Sequence, residues 1–435
     1  MHSEIKPKPA IFDYNRLPSP REIAPLGLQH VVAAIVGVVT PALLVSNACG
    51  LSAADKTILV QASLLISALT TFVQLFTLGP IGARLPVIMG VSFAYIPTLL
   101  AIGGEFGIGA IFGAEIVGGI AAIIVGLSVK RLKALLPPLV TGTVIFSIGL
   151  SLYPTAIKHM AGGAGSASYG APINWLVAVL TLVMVIYLTY FTKGFSKLAS
   201  ILLGMIFGYA ISLPLGMVNF DAIGEAGFFM MPPLLRFDIE FVPTAIISMI
   251  IMYVVNSVQA IGDLSATTMG GFDRMPTDKE LSGGIMGNGL GAIVGALFGG
   301  MPTATYSQNV GILTVNRVIN KFVFAFAGLV LLAAGFIPKF AAALTTIPQA
   351  VIGGATISVF ASITSTGIRM IASETFTARN MAVVGIAVAL GSGVVQAEGC
   401  LGLFPSWVQP VFGSSSVVIT TLSAIALNLI LPKGD

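Results

Sequence analysis

The segment "MPTATYSQNVGILTV", Met301–Val315, is far more polar than the chain around it. It places a proline, three threonines, a serine, a glutamine and an asparagine almost side by side. The chain around it has 435 residues, of which 56% are hydrophobic and only 9% charged, whereas a soluble domain carries about 25% charged residues. Apolar runs long enough to cross a bilayer as helices, about 18 residues or more, recur from Leu26 almost to the end. The composition therefore predicts an all-α polytopic membrane protein, embedded in a lipid bilayer, with one unusually polar interruption.

Hydropathy and the Gly/Pro punctuation predict fourteen transmembrane segments. They lie near residues 26–49, 57–79, 86–103, 107–128, 134–153, 173–192, 197–217, 242–263, 281–300, 302–316, 319–338, 347–371, 379–396 and 410–432. With the N-terminus inside, seventeen of the 21 Lys and Arg residues fall in inner loops, as the positive-inside rule requires. We therefore expect a multi-pass protein of the cell inner (plasma) membrane with both termini cytoplasmic.

Other classes of protein fit poorly. The basic residues are scattered singly and form no stripe, so we expect no nucleic-acid partner. Cys49 and Cys400 give neither a disulfide framework nor a metal-ligand pattern. Three histidines and the absence of HExxH or GxSxG patterns argue against an enzyme. We expect no metal and no cofactor beyond a coupling proton or Na⁺.

The two halves of the chain repeat each other. "LPPLVTGTVIFSIG", residues 136–149, matches "IPQAVIGGATISVF", residues 347–360, at an offset of 211. Segments 3 and 10 begin with Pro86 and Pro302 and hold too many polar or small residues for a continuous lipid-facing helix. Seven segments separate the copies, so the second copy enters the membrane upside down. The sequence thus predicts a 7+7 inverted repeat with short extended strands in segments 3 and 10, the pattern of a transporter site at mid-membrane.

Close helix packing explains most of the 50 glycines, but it does not explain the two breaks. Extended residues 302–307 lead to a half-helix near Gln308, and extended residues 86–91 lead to another near Ser92 and Phe93. Two helix N-termini, each with free amide groups and a partial positive charge, then converge on one cavity. Its predicted substrate-binding residues are Ser92, Phe93, Tyr95, Gln308 and Asn309. Such a cavity suits a flat, polar, mostly uncharged heterocycle.

These residues resemble a known family. "SQNVGILTVNR", Ser307–Arg317, is similar to the signature of the nucleobase-ascorbate transporters (nucleobase:cation symporter-2 family), and "GLQHVVAAIVGVVTPALLV", "GVSFAYI", "VQAIGDLSAT" and "TTIPQAVIGGA" match other family landmarks in order. The resemblance implies a homodimer in which a core domain moves against a gate domain, giving elevator-like alternating access. It places the cytoplasmic N-terminal segment at 1–25, the core at 26–133 and 242–340, and the gate at 134–241 and 341–435.

The resemblance also implies a substrate. Gln308 matches the family residue that binds the base, with Asn309 beside it and Phe93 as the aromatic of segment 3. Gln308-Asn309 and Gly262-Asp263 are similar to purine carriers, so xanthine or uric acid is expected. Ser92 in "SFAYI" also resembles uracil carriers, which keeps a uracil permease as the alternative.

The chain departs from the family at two carboxylates. Gln259 stands where the family usually has the Glu that grips the base and takes part in proton coupling, and Asn288 replaces an Asp. An amide can hydrogen-bond but does not exchange a proton near neutral pH. This branch therefore couples differently, acts as a facilitative uniporter, or carries engineered substitutions.

The remaining ionisable groups in the membrane are few. We hypothesise that Glu115 or Asp263 carries any residual coupling; Asp263, at the inner end of segment 8, could instead bond His30 or inner-loop amides, and Glu115 could face a polar seam between helices. His30 is either a proton relay or a structural hydrogen-bonding group.

The main rival keeps the architecture and changes the cargo. Anion exchangers of the sulfate and bicarbonate type share the inverted seven-span plan but should place a basic residue at the converging helix ends. Only Arg84 and Arg317 flank the broken segments here, which favours a neutral cargo.

Overall fold

The computed structural model describes residues 10–129, 137–397, 399–405, 408–413 and 415–432. Its helices and strands, in chain order, are α1 Pro20–Ala48, α2 Ala53–Phe76, β1 Met89–Val91, α3 Ile96–Phe106, α4 Ile108–Leu127, α5 Pro138–Met160, α6 Pro172–Phe191, α7 Phe195–Leu198, α8 Ser200–Ser212, α9 Asp221–Glu225, α10 Pro243–Phe272, α11 Asp278–Phe298, β2 Thr303–Thr305, α12 Ser307–Asn316, α13 Lys321–Gly335, α14 Pro338–Thr345, α15 Gln349–Ala372, α16 Ala378–Gln396 and α17 Ser416–Ile430. The boundary placed between residues 133 and 134, and residues 1–9 of the N-terminal segment, lie outside the described residues.

Most of the described chain is apolar helix. Within the described ranges, nine helices are long and apolar enough to cross a membrane, or ten if α13 and α14, bent by 82° at their junction, form one span. By helix length alone, the described residues therefore give fewer spans than the fourteen predicted. The difference lies in the shorter helices, because α8 and α17 are apolar but brief and segments 3 and 10 are only partly helical.

The two broken segments meet as a buried two-stranded antiparallel sheet. Met89, Gly90 and Val91 of β1 pair with Thr305, Ala304 and Thr303 of β2. The pairing continues past both ends, since the Ser92 amide donates to the Pro302 carbonyl at 3.1 Å and the Tyr306 amide donates to the Ile88 carbonyl at 3.0 Å. Extended backbone deep in an apolar protein needs such partners, because no water reaches it there.

A half-helix leaves each strand. On the β2 side the α-helix starts at Ser307, next to the predicted start at Gln308. On the β1 side Ser92 caps a 3-10 turn, Phe93–Tyr95, by accepting from the Ala94 amide at 3.2 Å, and the α-helix begins only at Ile96. Both half-helices therefore begin beside the strand pair, at the level of the break.

The repeat-related helices α5 and α15 run antiparallel against each other. A Cβ at Gly142, near the start of α5, would lie 2.9 Å from the Ile371 amide at the end of α15. A Cβ at Gly353, near the start of α15, would lie 2.3 Å from the Met160 amide at the end of α5. The two glycines occupy equivalent positions of the repeat and allow the same close approach at both ends of the pair. This packing is the arrangement that an inverted repeat requires.

Helix α10 is longer than predicted. The expected end at Asp263 is wrong, because the helix continues to Phe272 and ends at Asp273, which has a left-handed conformation with φ of 51°. The hydroxyl groups of Thr267 and Thr268 donate to helix carbonyls one turn back, at 2.8 and 3.2 Å. These polar side chains are thus satisfied inside the helix, and Asp263 lies within it and not at its inner end.

Candidate substrate-binding site

A cavity of about 510 Å³ lies where the two broken segments meet α10. Its walls are residues 92–94 after β1, residues 305–308 at the start of α12, residues 258–263 of α10, and faces of α5 and α15. This volume falls within the range of about 300–1,000 Å³ that holds small-molecule ligands. The cavity brings together five of the predicted residues: Ser92, Phe93, Gln259, Asp263 and Gln308.

The broken segments supply one polar and one aromatic wall. Gln308 stands in the first turn of α12, where backbone N–H groups have no partner within the helix. Phe93 faces it from the turn after β1, and its ring meets the Phe360 ring of α15 edge-on, with centroids 5.6 Å apart. A planar guest between these walls can be stacked and hydrogen-bonded at the same time.

Asp263 ties α10 to the second break. Its carboxylate accepts from the Thr305 hydroxyl at 2.6 Å and from the Ser307 hydroxyl at 2.7 Å. The Gln259 side chain, one turn earlier on the same helix face, also interacts with this carboxylate. The expected partners, His30 or inner-loop amides, are therefore wrong. Asp263 fixes the end of β2 and the start of α12, and so positions Gln308.

His30 pairs instead with Asn309. The Asn309 side-chain amide donates to the His30 carbonyl and lies 3.0 Å from His30 Nδ1. Nδ1 accepts this second bond only if it carries no proton, which sets the tautomer of the neutral ring. The imidazole packs against Phe324, with ring centroids 4.3 Å apart. Asn309 is 1% exposed and lies outside the cavity lining, so the structure does not bring its side chain to the cavity.

Three other predicted residues also lie away from the cavity lining. Tyr95 is fully buried and packs on Tyr253 of α10, so the structure does not bring its ring to the cavity lining. Asn288 accepts from Gln74 at 3.2 Å and joins α11 to α2. Glu115 is fully buried in α4.

Sequence reasoning missed several lining residues. Thr305 and Ser307 contribute their hydroxyls from within the broken segment itself, while Thr366 and Arg369 reach the cavity from α15. The polar run after Pro302 already contained the signal for the first pair. The α15 residues carry no local signal, because only the tertiary packing of α15 brings them to the breaks. Arg369 adds a positive charge to the cavity margin.

A second cavity, of about 740 Å³, shares no lining residue with the first. It is lined by the end of α1, by α3 and by the second halves of α5 and α16. The Phe93 ring of the first cavity contacts Phe360, and the Thr98 hydroxyl forms a buried hydrogen bond of 3.2 Å with the hydroxyl of Ser415, which lines the second cavity. These contacts join the α3 segment to α15 and to the start of α17.

The fold and the site together define a multi-pass membrane transporter. A family model described as "Permease family" matches residues 21–399. The chain belongs to this nucleobase:cation symporter-2 family, as the sequence motifs predicted, and it is a permease and not an enzyme.

Individual relatives agree with this assignment. The chain is 35% identical to the uric acid permease PucJ of Bacillus subtilis (strain 168), covering 94% of this chain and 92% of that one. It is 33% identical to the xanthine permease of the same organism, covering 93% and 92%. Among solved structures, the transmembrane domain of the cyanobacterial bicarbonate transporter BicA matches with a TM-score of 0.59 at 16% identity, covering 93% of this chain and 97% of that one. The last match shows a shared fold alone.

Proposed function

We propose that the protein imports a purine nucleobase, with xanthine or uric acid as the substrate. The observation that carries this proposal is the convergence of two glutamine side chains, Gln259 and Gln308, and the Phe93 ring on one cavity between two helix starts. The names of the relatives, xanthine and uric acid permeases, support the same class of substrate.

The chemistry of the cavity fits an oxopurine. Such a base is flat and presents ring N–H and carbonyl groups along its edges. A glutamine amide accepts from an N–H and donates to a carbonyl, so it can pair with two neighbouring groups of the base at once. Because Gln259 and Gln308 stand on different walls, each can pair with a different edge while Phe93 stacks on the ring. Arg369 at the margin favours the anionic forms that acidic oxopurines adopt.

The proposed mechanism is elevator-like alternating access. The core, residues 26–133 and 242–340, carries both broken segments, and the gate, residues 134–241 and 341–435, carries α5, α15 and α17. In this proposal all fourteen segments cross the membrane, including the short ones, and the protein is a homodimer in the plasma membrane with cytoplasmic termini. The two separate cavities support this mechanism, since movement of core against gate would open one cavity and close the other.

We propose that uptake is coupled to a proton. Gln259 and Asn288 cannot exchange protons, so coupling needs another buried carboxylate. If no such group acts, the protein is a facilitative uniporter, and an imposed gradient leaves its uptake unchanged.

Uptake of radiolabelled xanthine into proteoliposomes tests the function. Unlabelled uric acid should compete, whereas uracil and bicarbonate should not. Gln308→Ala removes hydrogen bonds to the bound base worth about 1–3 kcal/mol, so we expect affinity to fall by about tenfold or more. Gln29→Ala, an amide on α1 outside the cavity lining, is the matched control. Inhibition by uracil alone would replace the purine assignment, and bicarbonate transport would favour an anion carrier.

A further inference from the structure

Glu115 is a buried acid without a partner. It lies near the middle of α4 and has no solvent exposure. Neither carboxylate oxygen forms a hydrogen bond within the described part of the chain. An ionised carboxylate that lacks water, donors and a counter-ion is strongly unfavourable in an apolar interior. The group therefore needs either a bound cation or its own proton.

Two tyrosines surround this acid. The Tyr253 ring of α10 covers Gly118, one helical turn after Glu115, where an added Cβ would lie 2.3 Å from the ring. The Tyr95 ring packs on Tyr253 with centroids 4.9 Å apart, and Tyr95 lies beside the Asn256 amide. Both tyrosines and Asn256 are buried.

The polar ends of these neighbours are also largely unused. The Tyr253 hydroxyl and Asn256 Oδ1 have no hydrogen-bond partner among the described residues, and the Tyr95 hydroxyl has only its interaction with the Asn256 side chain. A native interior rarely leaves one buried polar group unpaired, so this cluster around Glu115 needs an explanation. Hydroxyls that can rotate toward a carboxylate are the donors that an ionised Glu115 would need.

The other groups around α4 do not neutralise Glu115. On the side that faces α11, Glu115 Oε1 lies against Gly295, whose added Cβ would lie 3.4 Å from that oxygen. Glycine has no side chain that could neutralise the carboxylate. Glu105 at the end of α3, and Asp238 and Glu240 of the loop that contacts Gly109, are exposed carboxylates. These groups carry the same charge as an ionised Glu115 and are hydrated, so they offer no counter-ion.

We propose that Glu115, enclosed by Tyr95, Tyr253 and Asn256, is the proton-binding site of the transport cycle. In the arrangement described, the carboxyl holds a proton and is neutral. On release its O–H bond breaks, the proton passes to water in the substrate chamber, and the carboxylate accepts hydrogen bonds from the two tyrosine hydroxyls. The inference rests on the proposed function, and it identifies the coupling cation as a proton and not Na⁺.

The cluster connects to both walls of the substrate cavity. Tyr95 shares a helical turn with Phe93, and Asn256 lies one turn before Gln259 on α10. Rotation of the tyrosines toward an ionised Glu115 therefore shifts the segment that carries Phe93 and the part of α10 that carries Gln259. Substrate and proton then influence each other's binding, and this influence is reciprocal by linkage.

Infrared spectroscopy of the purified full-length protein, without added substrate, tests the protonation state. The difference between wild type and Glu115→Gln at neutral pH should contain the C=O band of a protonated carboxylic acid. Glu105→Gln, an exposed carboxylate-to-amide control on the neighbouring α3, should lack that band. Where Gln at position 115 prevents folding, Glu115→Asp should shift the band instead. Carboxylate bands in place of the acid band, or bands that respond to Na⁺, would overturn the proposal.

Accumulation of xanthine in proteoliposomes tests the coupling. With one proton per base, an inward proton gradient should concentrate xanthine up to about tenfold per pH unit in wild type and in Glu105→Gln. Glu115→Gln should still bind xanthine and equilibrate it without accumulation. Gradient-driven accumulation by Glu115→Gln, or its absence in wild type, would overturn the coupling role. If wild type binds no oxopurine, the proposed function fails, while the infrared result still decides whether Glu115 holds a proton.

Discussion

A single methyl group at Gly90 should disrupt the pairing of the two strands. The Tyr306 ring lies over Gly90, and its hydroxyl donates to the Val91 carbonyl at 2.8 Å. A Cβ at Gly90 would lie 2.3 Å from Tyr306 Cζ, whereas carbon atoms in contact lie about 3.5–4.0 Å apart. The ring or the strand must therefore move by more than about 1 Å in Gly90→Ala.

The expected cost has two parts. Forcing an extra carbon into a packed interior costs about 1–3 kcal/mol, and the displaced ring loses the hydroxyl bond to β1, worth about 0.5–1.5 kcal/mol. The sum is a destabilisation of about 1.5–4.5 kcal/mol. Gly104 on α3 is the matched control, because nothing lies within 4 Å of a Cβ there. Ala at that helical position should stabilise by about 0.5–1 kcal/mol.

Thermal unfolding in detergent and xanthine binding measure the effect. Gly90→Ala should lower the unfolding temperature and weaken xanthine binding, since β1 positions Ser92 and Phe93. In a Tyr306→Ala background the same substitution should cost less than about 1 kcal/mol, because the clashing ring is gone. An equal penalty in both backgrounds, or no penalty in either, would refute the close packing of Tyr306 on the strand.

Three further substitutions probe the site. Gln259→Glu places a second carboxylate beside Asp263, and like charges at about 4 Å repel by about 4 kcal/mol at an effective dielectric constant of about 20. The two carboxylates should therefore share a proton, and the affinity for xanthine should vary more steeply with pH than in wild type. Equal pH profiles of xanthine affinity would contradict this. Asn309→Leu removes both bonds to His30 and should destabilise by about 1–3 kcal/mol in thermal unfolding, whereas an unchanged unfolding temperature would show that the pair contributes nothing. Ser307→Ala removes a hydroxyl that donates to the buried Asp263 carboxylate, a hydrogen bond worth about 1.5–3 kcal/mol. We expect weaker xanthine binding as a result. Unchanged affinity would show that this bond to Asp263 does not position Gln308.

The location of the breaks could be predicted because their cause is local. Pro86 and Pro302 begin both broken segments, and the polar residues that follow cannot face lipid. The strands indeed form at Met89–Val91 and Thr303–Thr305. The exact pairing of the strands depends on atoms from both halves of the chain, and so no local pattern predicted it.

Side-chain directions at the breaks were predicted less well. Phe93 and Tyr95 are two residues apart, which in an extended strand would put them on one face. They stand instead in a 3-10 turn of about three residues per turn, which directs Tyr95 away from the cavity toward Tyr253. Asn309 follows Gln308 on an α-helix, and the rotation between neighbours points it to His30. The conformation of the turn decided these directions, and the residue types did not reveal it.

The lining residues from α15 could not be predicted at all. Thr366 and Arg369 belong to α15 and reach the cavity because small residues let α15 pack closely on α5. The length of α10 was wrong for a different reason, since hydropathy falls after Asp263 although the threonine hydroxyls bond within the helix. Hydropathy measures transfer from water and does not record such internal partners.

A structure of the protein determined with bound xanthine would show directly where the substrate binds. The base is expected between the two helix starts, stacked on Phe93 and hydrogen-bonded to the Gln259 and Gln308 side chains. A base bound elsewhere, or uninterrupted helices through Ser92 and Gln308, would contradict this expectation.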